Sequence, residues 1–182
     1  MDSFESVIAS LLERDGFWTR PSVKVNLTKA EKRHIGRHSS PRWEIDLVAY
    51  KGSTNELWFV ECKSYLDSGG INITAFKKGS GFAKRFKLFN EPKLFTTVKS
   101  RLCKELISSG ACRPNPKVRL ALAAGHIREN HKTGVSAFFK KKGWILLDEH
   151  EIKRRIQELA VDGYENSVLS VVSKMLLNIK DK

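Results

Sequence analysis

Apolar residues recur along this chain with two different periods. Between residues 3 and 14, Phe4, Val7, Ile8, Leu11 and Leu12 fall at i, i+3, i+4, i+7 and i+8, the spacing that lines one face of a helix. Asp2 stands at the N-cap position with Glu5 three residues on, a capping-box arrangement, and Asp15-Gly16 ends the segment. Residues 17–28 change period: Val23, Val25 and Leu27 alternate and predict a strand. Residues 29–42 (KAEKRHIGRHSSPR) are polar and broken by Gly and Pro, which predicts a loop or hairpin tip. Residues 43–50 (WEIDLVAY) and 56–63 (ELWFVECK) predict two strands joined by the five-residue turn 51–55, a common hairpin length.

The second half alternates strands with helices. Residues 66–93 mix Gly69, Gly70, Gly79 and Gly81 with basic residues and four phenylalanines, and predict an irregular basic insertion with some helix around 81–89. Helices are predicted over 94–109, ended by Gly110, and over 127–141, and buried strands over 117–125 and 143–147. Two closing helices, 148–160 and 164–179, follow. The second carries the stripe Val168, Val171, Val172, Met175, Leu176 and Ile179, which either covers the sheet or serves an interface. The order α-β-β-β-α-β-α-β-α-α predicts one α/β domain over residues 1–182, a mixed central sheet flanked by helices. A chain of 182 residues suits one sizeable core.

Composition and charge narrow the class. No apolar run approaches the roughly 20 residues needed to cross a bilayer. The start of the chain, with Asp2 and Glu5, lacks the basic-then-apolar pattern of a signal peptide, so the expectation is a cytoplasmic protein with no membrane partner. Three cysteines, Cys62, Cys103 and Cys112, match no zinc spacing and read as reduced thiols. The net charge is +13, and residues 64–142 carry 17 Lys and Arg against 4 Asp and Glu while both flanks are near neutral. That concentration implies a polyanionic partner, and nucleic acid is the commonest. Candidate backbone contacts are Lys32, Arg33, Arg37 and Arg42 in the 29–42 loop, and Lys77, Lys78, Lys84, Arg85 and Lys87 in the insertion. Such contacts give salt-dependent affinity without sequence information. Most of Phe76, Phe82, Phe86 and Phe89 are expected to pack on the core as part of a lid. His34 and His38 are four apart, but Gly36 between them argues against a helical metal pair and for a phosphate-contacting loop. His126 follows a buried strand and either faces the site or caps the strand end. No GxxxxGK[ST] loop is present, so no nucleotide cofactor is implied, and no Ser-His-Asp elbow is evident.

The candidate chemistry lies on the hairpin. Strand side chains alternate, which assigns Glu44, Asp46, Val48 and Tyr50 to one face of the first strand and Ile45, Leu47 and Ala49 to the other. On the second strand Leu57, Phe59, Glu61 and Lys63 share a face. A turn centred on Ser53 sets Asp46 opposite residue 60, and a bulge or one-residue shift brings it beside Glu61. Charges inside such apolar strands need a reason. Two carboxylates and a backbone carbonyl suit one or two hard cations such as Mg²⁺, with Mn²⁺ as a substitute. A nearby lysine can orient or deprotonate the metal's water and neutralise charge on phosphorus.

The segments E-I-D-L-V-A-Y (44–50) and L-W-F-V-E-C-K-S (57–64) resemble the core of the PD-(D/E)XK nuclease superfamily, and the separation of Asp46 and Glu61 fits its short-hairpin members. The resemblance covers residues 1–63 and extends in outline to residue 125. One departure is that Arg42-Trp43-Glu44-Ile45 stands where a Pro commonly precedes the Asp. The resemblance implies a restriction-endonuclease-like fold, similar to that of Holliday junction resolvases, and a Mg²⁺-dependent endonuclease acting on duplex or branched DNA, often as a homodimer. It implies Asp46, Glu61 and the Cys62 carbonyl as metal ligands and Lys63 as the water-orienting group. Glu5 matches the acidic residue many members carry on the first helix, beside its capping role, and Glu44 is a candidate outer ligand or a surface residue. The rival expectations are a catalytically inactive DNA-binding subunit of a nucleoprotein complex and an RNA-processing nuclease.

Overall fold

The computed structural model describes residues 2–39, 42–77, 79–163 and 165–177. Five strands form one mixed sheet in the order β1-β2-β3-β4-β5. Strands β1 (Trp18–Val25), β2 (Trp43–Lys51) and β3 (Glu56–Lys63) make an antiparallel meander. Strands β4 (Lys117–Ala124) and β5 (Ile145–Leu147) continue it in parallel with β3. The α/β class and the helix-flanked mixed sheet agree with the sequence pattern. Among the described residues no helix is long and apolar enough to cross a membrane.

Helices cover both faces of the sheet. Helix α1 (Ser3–Arg14) buries Ile8, Leu11 and Leu12 against Leu47, Ala49, Val60 and Cys62. Each such side chain contributes about 1.5–3 kcal/mol. Asp2 and Glu5 form the reciprocal capping box expected of them. Helix α6 (Glu149–Val161) shares that layer through Ile152 and Leu159. On the other face α4 (Pro92–Ser108) sets Leu94, Val98, Leu102 and Leu106 against Val48, Tyr50, Leu57, Phe59 and Leu120. The insertion holds two 3₁₀ turns, Ile73–Phe76 and Gly81–Arg85, and the short helix α3 (Lys87–Asn90). Its Phe76, Phe86 and Phe89 are buried in an aromatic cluster, Phe76 and Phe89 meeting Phe139 of α5 (Lys132–Lys142), while Phe82 stays 55% exposed.

Four expectations need correction. Residues 29–42 are not wholly loop: α2 (Lys29–His34) forms on a second capping box, Thr28 with Glu31, and is tied to α4 by a bidentate Arg101–Glu31 pair. The helix predicted from 127 begins at Lys132, after a 3₁₀ turn at Glu129–His131. Ile45 does not share a side with Leu47 and Ala49; it joins Val48 and Tyr50 in the α4 core. Ser22, which the β1–β2 register leaves opposite Asp46, has a left-handed φ of 50°, and the ladder skips that pair. Helix α7 (Val168–Leu177) turns its serines inward: Ser170 and Ser173 are buried, whereas Val168, Val172, Met175 and Leu176 are exposed. Tyr164 and Ile179 of that predicted helix lie outside the described residues.

Candidate active site

The hairpin register decides how the charges meet. Pairs such as Leu47↔Val60 and Tyr50↔Leu57, continued by one step, set Asp46 across from Glu61. The one-residue shift is therefore the geometry adopted. The ladder ends at Leu47↔Val60, and the Cys62 amide beyond it donates to Asp46 Oδ2 at 2.8 Å. Asp46 thus replaces a ladder acceptor at the strand end.

Lys63 then closes the group. Its Nζ lies 2.5 Å from Glu61 Oε1 and 3.5 Å from Asp46 Oδ2, and donates to the Cys62 carbonyl at 3.0 Å. Three oxygens from two strands therefore converge on one ammonium. The side chains of Asp46, Glu61 and Lys63 retain only 24%, 16% and 21% exposure. They sit at the carboxyl end of β3, and ligands of open α/β sheets bind outside the carboxyl ends of strands. Gly125 keeps that end tight: its N–H donates to the Lys63 carbonyl at 2.9 Å, and a Cβ there would meet the Ser64 carbonyl oxygen at 2.2 Å.

Burial raises the Glu61 pKa; the Lys63 charge opposes this, and Asp46 and Glu5 add to it. Burial alone would lower the Lys63 pKa, but Glu61 and Asp46 outweigh it and hold it above its ordinary value. Lys63 is thereby an ammonium at neutral pH. Burial, followed by the charge of Asp46, drives the Cys62 thiol pKa far upward, which removes it as a nucleophile. Glu5 is close enough to feel Asp46; burial raises its pKa, the Asp2 backbone hydrogen bond lowers it and Asp2 and Asp46 raise it further. One residue thus caps α1 and extends the acidic group.

The donor set suits a hard cation. Carboxylate and carbonyl oxygens are the ligands Mg²⁺ takes, and the Lys63 ammonium marks where a positive charge meets all three. Side chains alone do not supply the set: among the described residues no three or more His, Cys, Asp or Glu groups stand close enough to hold an ion. The Cys62 carbonyl is what completes it.

The other named residues spread more widely. Glu44 is exposed and opposite Lys24 in the β1–β2 register, a cross-strand surface pairing. Arg37 Nη2 donates to both carboxylate oxygens of Glu91 at 2.7 Å, and the guanidinium lies over the Trp43 ring. Lys87 reaches the same ring. Arg33, Arg42, Lys77, Lys84 and Arg85 are exposed, Lys32 is half-buried, and Lys78 lies outside the described residues. His126 Nδ1 lies 4.0 Å from Glu149 Oε1, which Lys132 Nζ approaches at 2.9 Å. Both Glu149 oxygens are buried, and among the described residues neither has a hydrogen bond of normal geometry. Sequence reasoning missed Glu149 and Lys132; only His126 at a strand end pointed there.

Comparison of this chain with protein-family models, with curated proteins and with solved structures finds no match.

Proposed function

We propose that the protein is a divalent-metal-dependent endonuclease of the PD-(D/E)XK kind, with a restriction-endonuclease-like core, hydrolysing phosphodiester bonds in DNA. The observation that carries this is the convergence of Asp46, Glu61 and the Cys62 carbonyl on the Lys63 ammonium at a sheet end. The helix-first order and the antiparallel meander continued by a parallel strand support the same reading. Bound there, Mg²⁺ or Mn²⁺ would supply Lewis acidity and a water of lowered pKa. Asp46 and Glu61 would hold the ion, and Glu5 adds its charge to theirs. Lys63, held as an ammonium, positions water and offsets the charge gathering on the phosphate; its raised pKa argues against a role as base. With the Cys62 thiol silenced, attack by water without a covalent intermediate is the consistent route. The basic excess over residues 64–142 brings the polyanion in.

The test is incubation of plasmid, branched DNA and RNA with the protein in Mg²⁺ or Mn²⁺, against EDTA. DNA cleavage by wild type that Lys63→Ala lowers supports the reading. Cleavage that Lys63→Ala leaves intact sinks the assignment of this residue. Preferential RNA cleavage favours an RNA-processing enzyme, and DNA binding without cleavage favours a non-catalytic subunit.

A further inference from the structure

A cavity of about 240 Å³ opens just past Lys63, where the chain leaves β3 and meets the insertion. Tyr65, Phe82, Arg85 and Arg128 line it, with Gly69 and Gly70 on one wall. The isolated bridge Ile71↔Ile127 pins this wall to the exit of β4: the Ile71 N–H donates to the His126 carbonyl at 3.1 Å, and the Arg128 N–H donates to the Ile71 carbonyl at 3.0 Å. The close approach needs glycine: a Cβ on Gly70, whose φ is +74°, would meet His126 Cδ2 at 2.5 Å and the Arg128 amide nitrogen at 2.9 Å. Tyr65 takes a left-handed φ of 44°, an uncommon conformation for an aromatic residue and one that concentrates at functional sites.

The chemistry of the lining is specific. No Asp or Glu is among the described lining residues, although two arginines are. Arg128 Nε donates to the Gly69 carbonyl at 3.2 Å and Arg85 Nη1 to the Tyr65 hydroxyl at 3.4 Å. Among the described residues neither guanidinium has a carboxylate partner. Phe82 is the only exposed phenylalanine of the four in the insertion, and its ring stands at this cavity. Guanidinium groups without carboxylate partners beside an exposed ring are what a nucleotide requires: phosphate contacts and a face for stacking.

We infer that this cavity holds one unpaired nucleotide of a DNA strand, its base against Phe82 and Tyr65 and its phosphates on Arg85 and Arg128. The inference rests on the nuclease reading of the adjacent site and sharpens it: the substrate class is DNA with an unpaired nucleotide beside the scissile bond, not continuous duplex. A base with no Watson–Crick partner leaves the stack at lower cost than a paired one.

The experiment is titration of the full chain in EDTA with labelled duplexes that are fully paired, carry a one-nucleotide bulge of 2-aminopurine, or carry a flap. Wild type is expected to bind bulge or flap about tenfold tighter than paired duplex, with a change in 2-aminopurine emission on stacking. Phe82→Ala, an exposed position that leaves the core intact, is expected to erase the preference and the emission change while keeping affinity for paired duplex. Arg85→Ala and Arg128→Ala are expected to weaken binding to bulge and flap DNA and to lower its salt dependence. Equal binding of paired and unpaired DNA by wild type, or a preference that Phe82→Ala leaves whole, overturns the inference alone, since cleavage is not being read. Absence of DNA binding in every form overturns it together with the nuclease reading.

Discussion

Replacing Lys63 with Met keeps most of the aliphatic stem and deletes the ammonium. Glu61 Oε1, Asp46 Oδ2 and the Cys62 carbonyl, at 2.5, 3.5 and 3.0 Å from Nζ, then lose their common donor. Breaking a fully buried pair this way costs about 3–5 kcal/mol. Here the acidic side chains keep 16–24% exposure, so water and protonation of Glu61 recover part of it. A loss of about 1–3 kcal/mol is expected, the range for leaving partly buried polar groups unsatisfied. In a chain of this size each kcal/mol lowers the Tm by about 2–4 °C. If these oxygens are a metal site, Mg²⁺ should replace the missing charge, and at a hundredfold over its Kd would add about 2.7 kcal/mol. Thermal or urea unfolding in EDTA and in Mg²⁺ reads both numbers. The expected pattern is a destabilised Lys63→Met protein that Mg²⁺ restores further than it stabilises wild type. Equal stability of the two proteins in EDTA, or equal gains from Mg²⁺, refutes the idea that the ammonium holds a cation's place.

Other outcomes follow from the same geometry. A carboxyl with a raised pKa favours folding in its protonated form, a contribution present below the ordinary Glu pKa and lost as pH rises through the raised one. Glu61→Gln is therefore expected to be the more stable protein at neutral pH while losing cleavage, with the gain shrinking in acid; a pH-independent difference in urea midpoints would count against it. Gly125→Ala should cost about 1–3 kcal/mol and slow cleavage by displacing Ser64 next to Lys63, whereas Gly81→Ala, with nothing within 4 Å of its Cβ and an ordinary φ, should be near neutral. Lys84→Ala should reduce the slope of log affinity for DNA against log salt by about one, the loss of a single phosphate contact. Arg37→Ala should instead lower stability and leave that slope unchanged, because Arg37 is committed to Glu91 and Trp43.

The features legible in the sequence are those set by local pattern. The stripe Ile8, Leu11, Leu12 and the Asp2–Glu5 box specify α1, and the apolar runs around Ser53 specify the hairpin that brings Asp46 towards Glu61. Helix α2 was hidden because none of its residues is buried, so no apolar stripe marks it; its box, Thr28 with Glu31, was the signal available. Ile45 joins the α4 core beside the point where a left-handed Ser22 on the neighbouring strand interrupts the ladder, which no residue type at that position announces. Helix α7 carried a true helical stripe, but small Ser170 and Ser173 are the buried residues and leave Val168, Val172, Met175 and Leu176 outside. The cavity beside Lys63 joins Tyr65, Phe82 and Arg128 across more than sixty residues, and only tertiary structure assembles it.

The most direct test of the active-site assignment compares single-turnover cleavage of DNA in Mg²⁺ by wild type and by Asp46→Asn, with binding of the same DNA measured in EDTA. Asn keeps an oxygen for the Cys62 amide, so the fold and DNA affinity should hold. The expected result is a fall in cleavage rate of about 10²–10³ with affinity unchanged. Cleavage by Asp46→Asn at the wild-type rate, or wild-type cleavage that persists in EDTA, would contradict it.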